Sequence, residues 1–211
     1  MIERIDNLIQ LLTTAVCTVI CIRCALLSRE RERGWIFLGL SSFVFFLGDL
    51  YVQLYLEFYD KTPHYSNISY LGWYAGYLFL FLLLSDIQNS RCAAFRNRLL
   101  WLIPVFTAGM CIFYMQWDNP LECIVHAVVM TLLLRRAVIG LLCTRKAEPE
   151  SARRRMLYIN VLVVCAAEYI TSTVSCFWMG DTLANPYFWF DAVLSFSFLV
   201  LPASLKKAVG K

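Results

Sequence analysis

Residues 8–33 read LIQLLTTAVCTVICIRCALLSRERER, an apolar run that ends in a cluster of arginines. Crossing a hydrocarbon core about 30 Å thick takes about 20 mostly apolar residues in a helix, and Lys and Arg are held on the cytoplasmic side during insertion. The run and its basic end therefore predict a helix that enters from outside and finishes in the cytoplasm. Glu3 and Asp6 offset Arg4 ahead of it, and no small-x-small site follows, so it reads as a retained helix rather than a cleaved signal.

The pattern repeats along the chain. Seventeen of the nineteen Lys and Arg residues fall in four clusters: Arg23 to Arg33; Arg91, Arg96 and Arg98; Arg135 to Arg155; and Lys206, Lys207 and Lys211, leaving only Arg4 and Lys61 elsewhere. The clusters occupy alternate gaps between apolar segments near 8–27, 35–55, 69–84, 99–115, 121–142, 156–178 and 187–205. The expected fold is all-α: a polytopic membrane protein forming a single bundle of seven transmembrane helices, N-terminus outside and C-terminus cytoplasmic. One membrane domain covers 1–211, with no soluble domain attached. Reporter fusions after Asp60, Asn119 and Asp181 should score external, and fusions after Glu32, Ser90, Glu148 and Lys211 internal. A cytoplasmic score at Asp181 removes the sixth span.

Composition agrees. Hydrophobic residues make up 60% and charged residues 16%, and the mean hydropathy is +0.62, outside the range of a soluble domain. The net charge of +4 is accounted for by topology and by contact with anionic headgroups, so the bilayer is the expected partner and nucleic acid is not. Most of the nine cysteines lie in spans, where a thiol serves as a small apolar residue. Cys17, Cys21 and Cys24 share one helix face without a histidine, a poor metal signature. Cys111, Cys123 and Cys176 fall near the outer surface, where a disulfide among them is open. Asn67-Ile68-Ser69 matches a glycosylation acceptor, relevant only in a secretory eukaryotic cell.

The chemistry sits in the polar residues of the spans. An acid in a span costs about 2.5–3.5 kcal/mol on insertion scales and calls for a partner, a cavity or a function. Asp49, Gln53 and Glu57 follow at i, i+4 and i+8 on the second helix; Glu168, Thr171, Ser172 and Ser175 share a face of the sixth. The seventh carries Asp191 and Ser195, the fifth Glu122 and His126, and the third the row Tyr70, Trp73, Tyr74 and Tyr77. Alternating helix direction places all of these between the midplane and the outer surface. The expectation is an outward-facing polar cavity with aromatic walls that binds a small cationic or hydrogen-bonding ligand. Its candidate residues are Asp49, Gln53, Trp73, Tyr77, His126, Glu168, Thr171 and Asp191. The aromatic row reads equally as an interfacial anchor belt, the acids as interhelical hydrogen-bond partners, and His126 as a packing residue rather than a metal ligand. No GxSxG, HExxH or phosphate-cradling glycine motif is present, so the reading favours a non-enzyme without metal or cofactor.

Phe46-Leu47-Gly48-Asp49-Leu50-Tyr51 through Tyr55, then Thr62-Pro63-His64-Tyr65-Ser66-Asn67-Ile68-Ser69-Tyr70 and Trp73-Tyr74, resemble the multi-helix membrane sensor region preceding some bacterial diguanylate cyclases and histidine kinases. The likeness covers residues 46–80. Those regions carry a Gly-Asp pair in one helix, a Pro-x-x-Ser turn outside and an aromatic-rich next helix. Ser69 stands where an acid is often found, and the chain reaches Lys211 without an output domain. The resemblance implies the cytoplasmic membrane of a bacterium, a ligand-sensing or helix-coupling role for Asp49 and Pro63, and a separate cytoplasmic signalling protein as partner. The basic gap 143–155 and the tail 206–211 are the surfaces it would meet. Asp49 and Asp191 are also faintly similar to the acids of lysoplasmalogenase-like membrane hydrolases, whose early Lys-Pro motif is missing. A lipid hydrolase of that type is the first alternative function, and a proton- or cation-coupled carrier the second.

Overall fold

The computed structural model describes residues 2–27, 32–59, 67–88, 97–144, 149–178, 180 and 182–209. Its seven α-helices are α1 Ile2–Leu27, α2 Glu32–Tyr59, α3 Asn67–Ile87, α4 Leu102–Tyr114, α5 Pro120–Cys143, α6 Pro149–Ser175 and α7 Pro186–Val209, with a 3-10 turn, Arg98–Trp101, leading into α4. Six of them, all but α4, are long and apolar enough to cross a membrane. The chain is a polytopic, all-α membrane protein.

Most helices run past the apolar segments that mark them, because the backbone stays helical through the polar flanks. α6 differs at its end. It stops at Ser175 rather than near Trp178, where the Cys176 amide bonds back to Thr173 O and those of Phe177 and Trp178 to Val174 O, tightening the last turn. α4 is the short member. Its thirteen residues span roughly 20 Å at the α-helical rise, and the 3-10 turn before it adds about 8 Å. Asn97 opens that turn by accepting from the Leu99 amide at 3.0 Å. α5 and α7 start alike: Asn119 and Asn185 accept from the amides two residues on, at 2.9 and 3.0 Å. A proline follows each asparagine, at the helix position where a missing N–H costs nothing.

The helices close into a ring in the order α1, α2, α3, α5, α6, α7 and back to α1, with α4 outside against α5. Pairings such as Thr18 with Ser42, Ser41 with the Gly76 carbonyl and Asn160 with the Ser197 carbonyl make chain neighbours antiparallel. α1 and α7 run the same way, since Gln10 reaches Asp191, so the two chain termini lie at opposite ends. Lipid covers what water would not. Leu12, Val19, Leu71, Val105 and Phe196 point outward and exposed, while the buried face of α1 is Asp6, Gln10, Thr13, Thr14, Cys17, Thr18 and Cys21. Glycines set the α2–α3 spacing. A Cβ on Gly72 would stand 2.7 Å from Val44 O, and one on Gly76 would strike the Phe45 ring, the close approach that small-xxx-small seams allow in membranes.

At the basic end, Gln88 and Arg136 join α3 to α5, with Gln88 Nε2 donating to Arg136 O at 2.6 Å and Arg136 donating to Gln88 Oε1 at 3.2 Å. Arg154 donates to Ile87 O at 3.3 Å, adding α6. Several sequence expectations fall outside the described residues: the turn at Pro63, His64 and Ser66, the side chain of Asn67, the stretch 145–148, and Arg29, Arg31, Lys61, Arg91, Arg96 and Lys211.

Candidate functional site

The opposite end of the bundle, where α1, α3, α5 and α7 begin, holds Asp6, Asp49, Glu168 and Asp191. They form three neighbouring groups rather than one shared wall. Asp49, 2% exposed, accepts from Trp73 Nε1 at 2.9 Å and from the Thr14 hydroxyl at 3.3 Å. Asp191 Oδ1 accepts from Gln10 Nε2 at 3.5 Å, and its Oδ2 has no donor among the described residues. Asp6 stands beside Asp191. Glu168 belongs to the third group. Its Oε2 accepts from the Tyr77 hydroxyl at 2.5 Å and its Oε1 from Ser172 at 3.4 Å.

Glu168 also forms the floor of a cavity of about 230 Å³ between α3, α4, α5 and α6. The rings of Tyr70, Tyr74, Tyr114 and Trp117 wall it, and Asp118 stands at its rim, accepting from the Tyr70 hydroxyl at 3.3 Å. Ser172, Ser175, Cys123 and Cys176 complete the lining. His126 is set into this wall by three rings. Its imidazole stacks on Tyr74, Tyr114 and Tyr169 with centroids 5.6, 6.3 and 5.5 Å away. Its Nε2 lies 3.8 Å from Glu168 Oε1, too far for a hydrogen bond, and has no hydrogen-bond partner among the described residues. Tyr114 is fixed by its hydroxyl, which donates to Tyr169 O at 3.0 Å and meets Thr173 Oγ1 at 2.9 Å.

Of the eight residues expected at one site, Glu168 and His126 line the cavity and Tyr77 supports it from behind. Asp49 and Trp73 form a pair away from it, as does Asp191 with α1. Gln53 and Thr171 join neither. The buried face of α2 at this end runs through Asp49, Val52 and Leu56, which turns Gln53 toward Glu57, to which it donates at 3.2 Å. On α6 the helix-packing face is Val164, Ala167, Thr171 and Val174, and the Thr171 hydroxyl bonds back to Ala167 O at 2.8 Å. Cys111, Cys123 and Cys176 are free thiols. Burial, then the Asp118 carboxylate, push the Cys176 thiol up from its usual range.

The polar face of α1 is what the sequence reading missed, although Asp6, Gln10, Thr14 and Thr18 repeat every fourth residue. Tyr114 and Tyr169 were missed too; a tyrosine near a helix end resembles an interfacial anchor. Among the described residues, no group of three or more His, Cys, Asp or Glu is placed to hold a metal ion. No protein-family model matches the chain, and neither a curated protein nor a solved structure is significantly similar to it.

Proposed function

We propose that this protein is a receptor-like sensory membrane module that binds a small hydrogen-bonding ligand in the Glu168–His126 cavity and signals to a separate cytoplasmic protein. One observation carries the reading: in the wall of the cavity a buried His126 Nε2, without a hydrogen-bond partner among the described residues, stands beside the Glu168 carboxyl group without bonding to it, a polar pair left for a ligand to engage from the cavity side. The route to the other end of the bundle starts at Tyr77. This fully buried residue holds Glu168 through its hydroxyl, and its ring meets Phe45 edge-on at 5.0 Å. Phe45 in turn contacts Phe198 of α7 at 4.6 Å. A ligand that draws Glu168 away from Tyr77 would release a packed line joining α6, α3, α2 and α7. At the basic end, Lys206 and Lys207 are exposed and offer a charged surface to a partner.

The carrier reading keeps one point in its favour, since Asp6, Asp49 and Glu168 all stand near the buried Asp191. The hydrolase reading is weaker, because the two aspartates it needs do not line the cavity. The test is thermal unfolding of the purified full chain against a library of small polar compounds. A compound at a hundredfold its Kd should stabilise the protein by about 2.7 kcal/mol and lose that effect in His126→Phe. Lipid turnover abolished by Asp49→Asn or Asp191→Asn would replace the proposal with the hydrolase. Ion-dependent uptake into liposomes would replace it with the carrier.

A further inference from the structure

We infer that the ligand is a small organic ammonium ion, from primary amine to quaternary ammonium, whose positive charge sits between Glu168 and the tyrosine and tryptophan rings. This rests on the ligand-binding reading and names the chemistry of that same cavity. Charge is the first argument. Two carboxylates, Glu168 and Asp118, line the cavity, and among the described residues no Lys or Arg does. His126 is not the missing counter-charge. An imidazolium paired with Glu168 would close to hydrogen-bond distance, whereas the two atoms stand 3.8 Å apart with Nε2 unpartnered.

The walls give the second argument. Tyr70, Tyr74, Tyr114 and Trp117 present ring surface around the carboxylate, and the negative faces of aromatic rings attract cations, most of all where water is excluded. An anion would meet two carboxylates. A neutral polar ligand would leave the Oε1 atom of Glu168, whose hydrogen bond among the described residues is a 3.4 Å contact with Ser172, without a charged partner. Size is the third argument. A cavity of about 230 Å³ lies below the roughly 300–1,000 Å³ of drug-sized sites, which restricts the ligand to a compact amine.

Cys123 and Cys176 supply a test that needs no knowledge of the natural ligand, since both line the cavity as free thiols. The full chain in lipid nanodiscs is treated with three methanethiosulfonate reagents of matched size: trimethylammonium, sulfonate and uncharged. Labelling at each cysteine is followed by peptide mass spectrometry, and each rate is divided by that reagent's rate with a simple thiol in solution. The ammonium reagent should react at least tenfold faster than the sulfonate at Cys123 and Cys176. The preference should shrink below threefold in Glu168→Gln combined with Asp118→Asn. Tetramethylammonium chloride at millimolar concentration should slow the uncharged reagent, and sodium acetate should not. Equal or faster labelling by the sulfonate, or no protection by tetramethylammonium, overturns the ammonium assignment while the cavity stands. Failure of the uncharged reagent at both thiols shows that the cavity is closed to small molecules and removes the ligand-binding reading as well.

Discussion

Gly72→Ala is expected to destabilise the bundle by about 1–3 kcal/mol, the usual cost of overpacking a closed core. Gly109→Ala should leave stability unchanged or raise it by about 0.5–1 kcal/mol. The contrast follows from what a methyl group would meet. At Gly72 the new carbon would lie 2.7 Å from the Val44 carbonyl oxygen and 3.4 Å from the Gly48 backbone. Those are backbone atoms of α2, so relief comes only by moving one helix off the other. At Gly109 on α4 nothing lies within 4 Å, and the substitution only removes glycine's entropy cost. Separation at Gly72 would also reach the site. Trp73 follows it and donates to Asp49, and the neighbouring Gly76 carbonyl accepts from Ser41 at 2.9 Å. The measurement is the midpoint of unfolding in mixed detergent for both variants. If Gly72→Ala is as stable as Gly109→Ala, the α2–α3 seam is not the close backbone contact described.

The positions of the long helices were legible because apolar runs alternate with charged gaps. The basic clusters at alternate gaps mark the helices without any knowledge of packing, and the six long helices lie where those clusters place them. The depth of the acids followed from the same alternation: Asp49, Glu168 and Asp191 do share one end of the bundle. Their direction around each helix axis did not follow. Spacing shows that Glu168, Thr171, Ser172 and Ser175 lie on one side of α6, but that side is wide enough to meet two environments. Thr171 falls on the packing face, while Glu168 and Ser172 reach the cavity. One helix turn likewise separates Asp49, held by Trp73, from Gln53, directed toward Glu57.

The polar face of α1 was visible and misread for a different reason. Asp6 looked like a charge balancing Arg4, and threonines in an apolar run carry little weight singly. Only the closed ring, which sets α1 against both α2 and α7, turns Asp6, Gln10, Thr14 and Thr18 into partners for Asp191, Asp49 and Ser42. The glycines belong with them. Gly72-x-x-x-Gly76 stands in the sequence as a small-xxx-small pair, yet its partner Gly48 lies on another helix.

Glu168→Leu should cost about 1–3 kcal/mol, the penalty for stranding a buried donor, and Glu168→Gln should cost far less. The donor is the Tyr77 hydroxyl, on a residue with no exposed surface, and its acceptor is Glu168 Oε2. Glutamine keeps a carbonyl oxygen at that position and leucine does not. The argument predicts more than two single values. If the loss in Glu168→Leu comes from the orphaned hydroxyl, removing that hydroxyl as well should restore most of the stability, because replacing both partners of a buried hydrogen bond by apolar groups is close to neutral. Tyr77→Phe combined with Glu168→Leu should therefore be more stable than Glu168→Leu alone, giving a strongly non-additive double-mutant cycle. Ligand binding should divide the same variants differently. Glu168→Gln keeps the fold yet removes one of the cavity's two carboxylates, so it should fold normally while weakening the preference for the ammonium reagent. Equal destabilisation by Gln and Leu, or simple additivity with Tyr77→Phe, would show that Glu168 acts by filling space, and the contact linking the cavity to Tyr77 and Phe45 would lose its role in the signalling route.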